Sequence, residues 1–261
     1  MYGVTTRNGF IAVRLLLTVI VADVPVVDAA TLNGIANTQL SHSYASVGID
    51  AVVANAGIAK LRELNTRYGV ERQFLVNYLG HFALLNGVAE LIRDGSGRIV
   101  ILSDHLALKD ASPEGIMFDN LAGQRFYNPT VFYGQAKLAN ALHAQELARR
   151  LRPRGISVNT VNPGRVRGTR LYREDSLGQR LLRIAKWPFS KSQAQGAATS
   201  VLLAGSPTVA GVTAEHWLDC KIVRANPLLE NLDLAYRLWS VSEQIIRKSL
   251  PGVDALQQEA A

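Results

Sequence analysis

The chain has 261 residues, 48% of them hydrophobic and 19% charged, with 21 Gly and 9 Pro. That balance excludes a disordered chain, a collagen and a disulfide scaffold, and the length suffices for one self-supporting core. The net charge of +7 is concentrated: residues 149–186 hold eleven Lys or Arg against Glu174 and Asp175, which leaves the rest of the chain at −2.

No zinc-finger spacing, RNA-recognition signature or basic heptad accompanies that segment, so a nucleic-acid partner is not expected. A solvated surface, an anionic ligand and a membrane-surface contact remain open. The single Cys220 allows neither an intramolecular disulfide nor a cysteine-based zinc site. No metal is expected, and the thiol reads as a small buried hydrophobe in a reducing compartment, the cytoplasm.

The most apolar early stretch is Phe10 to Val27, but its uninterrupted run, Leu15 to Ala22, is only eight residues long. That is too short to span a bilayer and lacks the flanks of a secretory signal, so it reads as buried strand. Strand and helix patterns then alternate: a strand at Val24 to Asp28, a helix near Thr31 to Val47, a strand at Ile49 to Ala54 and a long helix from about Val70 to Arg93. A strand at Arg98 to Leu102, a loop to about Thr130, a helix to about Leu151 and a strand at Ile156 to Val161 follow. Helical spacing returns at Gln193 to Ala204 and Asp233 to Ile246. Strands that are apolar throughout, alternating with helices, predict an α/β domain whose parallel sheet is covered on both faces. No repeat or linker divides the chain, so a single domain over 1–261 is expected.

Two helices carry polar residues where burial is expected. Asn77 and His81 lie one turn apart on the first, and a buried Asn needs partners, which the backbone alone can supply. On the second, Tyr133, Lys137 and Asn140 fall at i, i+4 and i+7, which sets a phenol beside an ammonium. Lowering a tyrosine from about 10 by three pKa units takes roughly 4 kcal/mol. A lysine cation at about 5 Å supplies on the order of 3 kcal/mol at an effective dielectric near 20. A tyrosine so tuned exchanges protons near neutral pH. Alone, that spacing is common by chance.

Order and spacing raise it above chance. Ala54-Asn55-Ala56-Gly57 ends a strand, Val76-Asn77-Tyr78-Leu79-Gly80-His81-Phe82 lies on the next helix, and Arg98-Ile99-Val100-Ile101-Leu102-Ser103 forms the next strand. Tyr133-Gly134-Gln135-Ala136-Lys137-Leu138-Ala139-Asn140 and Val161-Asn162-Pro163-Gly164 complete the series, with Trp217-Leu218-Asp219-Cys220 and Tyr236 to Glu243 beyond. Over about residues 24–248 this resembles the short-chain dehydrogenase/reductase family, in particular its retinol-dehydrogenase-like and protochlorophyllide-reductase-like branch. The resemblance implies a Rossmann-like, doubly wound α/β/α sheet. It also implies an NAD(P)-dependent oxidoreductase acting on an alcohol or carbonyl of a fairly apolar small molecule, with NADP favoured over NAD by the basic segment. Tyr133 would be the general acid/base, Lys137 would lower its pKa and hold the nicotinamide ribose, and Asn77 would order a water leading to solvent. Asn55, Ala56 and Gly57 would sit against the adenosine side, with Asp28 at the adenine. Pro163 and Gly164 would support the nicotinamide, with Val166 and Thr169 as amide contacts. Arg165 to Phe189 would cover an apolar substrate, and the two long helices could pair in a homodimer.

Two departures qualify this. The glycine-rich turn that lets a backbone approach a pyrophosphate is missing. The pattern T-G-x-x-x-G-x-G can be laid only on Thr5 to Ala12, with Thr6, Phe10 and Ala12 where glycines belong. Alternatively Phe10 to Arg14 is the second strand, with Arg14 on a 2′-phosphate, and the first βα unit is incomplete. The second departure is Asp104, where the family usually has its catalytic serine. An ionised carboxylate would repel a developing oxyanion. Either Ser103 shifts into the role, or Asp104 is protonated, or the substrate is cationic, or Asp104 and His105 simply cap a turn. A redox-neutral isomerase, cyclase or dehydratase on the same scaffold, and a truncated non-catalytic relic, are the alternative functions.

Overall fold

The computed structural model describes residues 48–104, 107–169, 171, 190–224 and 226–249, together with the backbone of three short strands before them. Those three are β1 (Val4–Thr6), β2 (Gly9–Ile11) and β3 (Leu15–Leu16). The expected strand at 24–28 and helix at 31–47, with Asp28, lie outside the described residues, as does most of the expected substrate cover at 165–189.

The domain is the expected three-layer α/β sandwich. Its sheet gains β4 (Ala51–Ala54), β7 (Arg98–Leu102), β8 (Ser157–Asn162), β9 (His216–Leu218) and β10 (Lys221–Ile222), while β5 (Thr66–Arg67) and β6 (Val70–Glu71) form a separate hairpin. The order across the sheet is β10-β9-β8-β7-β4-β3. All pairs are parallel except β9 with β10, which a two-residue turn connects. Every residue of β4 and β8 is buried, as the apolar runs predict for strands covered on both faces. Alternate side chains serve two cores. Val52, Ala54, Ile99, Ile101 and Val158 face one layer of helices, and Ala51, Val53, Val100, Leu102 and Val161 meet Leu203 and Ala204 of the other.

The N-terminus corrects one expectation. In a doubly wound sheet the neighbour of the fourth strand is the first, and here that place beside β4 is taken by Leu15–Leu16. Thr5 to Ala12 therefore provides no phosphate turn: Val4–Thr6 pairs antiparallel with Gly9–Ile11, Thr6 opposite Gly9. Local pairing across a two-residue connection turns this segment into a hairpin instead of a strand-to-helix turn. Phe10 and Ile11 sit in that hairpin, so the second-strand alternative for Phe10 to Arg14 fails with it.

The first long helix also starts later than its apolar pattern suggests. Tyr68 and Gly69 both have positive φ, the turn that joins two antiparallel strands, and so Val70–Glu71 pairs with Thr66–Arg67. The helix then begins as α1 (Arg72–Phe74), capped by the Glu71 carboxylate on the Gln73 and Phe74 amides. It passes through a π-helical segment, Leu75–Leu79, and continues as α2 (Gly80–Val88). The stretch before Thr130, read as loop, contains the short helix α3 (Ala107–Asp110). Helix α4 (Pro129–Leu151) opens on the Asn128 side chain, which accepts from the amides of Thr130 and Val131. Helices α5 (Gln193–Gly205) and α6 (Leu232–Ser249) complete the layers. Trp239 of α6 packs on Phe82 of α2, with ring centroids 4.9 Å apart, and on His143 of α4 at 5.6 Å. The chain's own α6 thus lies across both long helices.

Candidate active site

The parallel registers bring the carboxyl ends of β4, β7 and β8 together, the edge where open α/β sheets bind ligands. Each strand end contributes one part.

Beyond β4, Asn55 is exposed and Ala56 and Gly57 are partly so. Asn77, fully buried in the π-helical segment, holds the next residue by both main-chain groups. Its Oδ1 accepts from the Ile58 N–H and its Nδ2 donates to the Ile58 carbonyl, each at 2.8 Å. A Cβ at Gly57 would lie 3.2 Å from the Asn77 Oδ1, so the turn packs closely on this side chain. Gln73 adds a second tie, accepting from the Lys60 N–H at 2.6 Å. A π-turn inserted in an α-helix is a frequent mark of a functional site, because it turns one side chain out of the regular pattern.

Beyond β7, Lys137 is 5% exposed and donates from Nζ to the Leu102 carbonyl at 3.1 Å. Asn140 donates to the same carbonyl at 3.0 Å. Burial pulls Lys137 down to about 8, against the opposing pull of the Asp104 carboxylate, so its ammonium gives up a proton far more readily than usual. Tyr133, one turn earlier, is 3% exposed and lies beneath Ala59 and Leu171. The Lys137 Nζ stands 5.7 Å from its ring centroid. The Ala59 N–H donates to the Leu171 carbonyl at 3.1 Å, which pins this cover to the turn that Asn77 braces. Ser103 is buried and donates its hydroxyl to the Lys137 carbonyl at 2.9 Å, so its proton faces helix α4. Asp104 is partly exposed, and its carbonyl accepts from the Leu108 N–H, which starts α3.

Beyond β8, the Asn162 Oδ1 accepts from the Gly164 N–H at 2.8 Å, and Gly164 has φ +73°. Val166 pairs with Lys191, and Gly196 leaves no room for a Cβ against it. Thr169 is exposed.

Tyr133, Lys137, Asn77, Ser103 and the Asn55–Gly57 turn therefore share one end of the sheet, with Pro163, Gly164 and Val166 on its neighbouring strand end. The Asn77 side chain is held by both main-chain groups of Ile58, the backbone partner that a buried Asn can take. Three of the eleven basic residues of the 149–186 segment are placed elsewhere. Arg149 and Arg150 hold Glu146, and Arg154 holds Asp94, at the end of α4 that feeds the start of β8, the opposite edge of the sheet. Cys220 is exposed, not buried, because it sits in the β9–β10 turn with φ +60°. Sequence reasoning missed Lys191, whose ammonium donates to the Pro163 carbonyl at 3.1 Å. One lysine among many basic residues carries no signal of that contact.

A nicotinamide nucleotide fits the described half of such a site: a buried lysine at Lys137 and an open turn at Asn55–Gly57. Residues for its pyrophosphate are not among those described. No group of three or more metal-ligating side chains occurs among the described residues.

Comparisons with known proteins agree with this geometry. The family model described as short chain dehydrogenase matches residues 19–179. Retinol dehydrogenase 14 of Homo sapiens is 38% identical over 202 residues, 76% of this chain and 59% of that protein. Short-chain dehydrogenase TIC 32 B, chloroplastic, of Brassica napus is 34% identical over 214 residues, 79% of this chain and 66% of that one. The chain spans about three fifths of the length of the first of these relatives. An uncharacterized protein from Mycobacterium Paratuberculosis superposes with a TM-score of 0.61 over 84% of this chain and 72% of that chain, at 24% identity, a likeness of fold.

Proposed function

Because the chain belongs to the short-chain dehydrogenase family, we propose that it is a nicotinamide-dependent oxidoreductase acting on an alcohol or carbonyl of a fairly apolar small molecule. The observation that carries this reading is Lys137, buried, bonded to the end of β7 and held at about 8 one helical turn from Tyr133. The cofactor, when bound, supplies or accepts the hydride. Tyr133 exchanges the proton at the substrate oxygen through its phenolic Oη. Lys137 in its charged form favours the phenolate and so makes that exchange possible near neutral pH. Asn77 and Gln73 hold the turn after β4, where the adenosine side would lie, and the Pro163–Gly164 loop, tied to the Asn162 side chain, would support the nicotinamide end. Leu171 and Ala59 exclude water from the phenol.

NADP is favoured over NAD by the net positive charge of the 149–186 segment, although its Arg149, Arg150 and Arg154 hold Glu146 and Asp94 at the far edge of the sheet. Helix α6 lies across the two long helices, which argues for a chain that does not pair through them.

Calorimetric titration with NADPH and NADH tests the reading. Micromolar binding that Lys137→Ala weakens is expected. Turnover of a substrate with no nicotinamide present, or no binding at millimolar cofactor, overturns it.

A further inference from the structure

The loop after β8 is held in place from one side. Lys191 precedes the Ser192 cap of helix α5. Its main chain pairs with the loop at two points, its N–H donating to the Arg165 carbonyl at 2.9 Å and its carbonyl accepting from Arg167 at 3.0 Å. Its ammonium passes under Gly164, where a Cβ would lie 2.8 Å from Nζ, and donates to the Pro163 carbonyl at 3.1 Å. The same Nζ is ion-paired with Asp219.

Asp219 is itself rigidly placed. Asp219 and Cys220 both have positive φ, 52° and 60°, the backbone of a two-residue turn matched to the twist of β9 and β10. The turn is fastened to α5, since the Cys220 N–H donates to the Thr199 hydroxyl at 3.1 Å. Asp219 therefore reaches Lys191 from a fixed point, and Lys191 transmits that position to the Pro163 carbonyl. Asp219 is 62% exposed, and pairs so exposed add little stability. What the arrangement fixes is geometry, at the strand end that the proposed function assigns to the nicotinamide.

We propose that Lys191, anchored by Asp219, is the positioning residue that sets the Pro163–Gly164 loop for the nicotinamide end of the cofactor. The proposal rests on the oxidoreductase reading. Its requirement is specific: a cation is needed at 191 and an anion at 219, and Gly164 must lack a side chain so that the cation can pass.

The test compares the full chain with Lys191→Met, Lys191→Arg and Asp219→Asn by NADPH calorimetry, thermal unfolding and amide exchange at Arg167. The dissociation constant is expected to rise on the order of ten- to a hundredfold in Lys191→Met, as misplaced binding groups do, and by less in Asp219→Asn. Lys191→Arg is expected to restore most of the affinity. Unfolding midpoints stay close to wild type, while the Arg167 amide exchanges faster in Lys191→Met. Unchanged affinity in Lys191→Met and Asp219→Asn overturns the proposal alone, as does a lowered midpoint with affinity intact, which would make the contact merely structural. A wild-type chain that binds neither NADPH nor NADH overturns the oxidoreductase reading and the proposal with it, and is told apart because the unsubstituted chain already fails.

Discussion

Asn77 and Ile58 are joined by a closed pair of hydrogen bonds, 2.8 Å each way, between one buried carboxamide and both main-chain groups of a residue nineteen positions earlier. The pair fastens the turn after β4 to the π-helical segment, and through Ala59 to the cover over Tyr133. Asn77→Ala leaves a buried N–H and a buried carbonyl unpaired and is expected to cost about 3 kcal/mol of stability. Asn77→Asp keeps the acceptor and sets a carboxylate against the Ile58 carbonyl, so it should be no better than the alanine variant. Urea unfolding decides, and a loss under about 0.5 kcal/mol in both variants counts against the brace.

Lys137 gives a pH dependence of definite sign. Its pKa falls from 10.5 to about 8 on folding, chiefly through burial. Between those values the unfolded chain binds a proton that the folded chain does not, so its contribution to stability is present above 10.5 and is lost as the pH falls through 8. The stability of Lys137→Met relative to wild type is therefore highest below pH 8 and declines toward pH 10.5. A difference constant across that window, followed by urea titration, refutes the burial argument. Asp104→Asn removes the carboxylate that opposes the shift, so the alkaline limb of activity should move to lower pH in that variant.

Ser103 distinguishes a structural from a catalytic hydroxyl. Its proton goes to the Lys137 carbonyl. Ser103→Ala should cost about 1 kcal/mol of stability and lower turnover by less than about tenfold, since the lost bond fixes the start of the Lys137 turn. A fall of about a hundredfold or more with cofactor affinity unchanged is the size expected of a lost donor to a developing oxyanion, and would show that the hydroxyl acts on substrate.

His143 is buried among Tyr78, Phe82 and Trp239, and neither of its ring nitrogens has a hydrogen-bond partner among the described residues. Burial, with His81 nearby, lowers it to about 3. Its neutral form is the folded form, so its contribution to stability is present above the ordinary value of 6.5 and is lost as the pH falls toward 3. His143→Leu should leave stability at pH 7 unchanged or raised by about 1 kcal/mol, because an unpaired polar ring is replaced by an apolar side chain. It should also flatten the acid side of the stability curve. A loss at pH 7 as large as a cavity produces, about 3 kcal/mol, would mean that the ring nitrogens are satisfied after all.

Much of this protein was legible in its residues. Val52, Ile99 and Val158 sit in strands apolar at every position, and a strand so composed has no face to offer water, so a sheet covered on both sides follows from composition alone. Tyr133, Lys137 and Asn140 share one face because helical spacing is a matter of counting, and α4 begins one residue before the position read from its pattern. Tertiary structure alone decided the rest. Val70 and Glu71 fit a helix by pattern but join a hairpin, because two residues at positive φ reverse the chain before them. Arg149 to Arg154 add to a charge count without direction, and only the path of α4 into β8 carries them away from the site. Cys220 reads as a buried hydrophobe until the β9–β10 turn lifts it into solvent. Lys191 and Asp219 are twenty-eight positions apart and meet at Pro163 because α5 and the turn are packed together. Periodicity reports which face of an element is apolar. Contacts between elements depend on where the chain returns, and no local pattern encodes that.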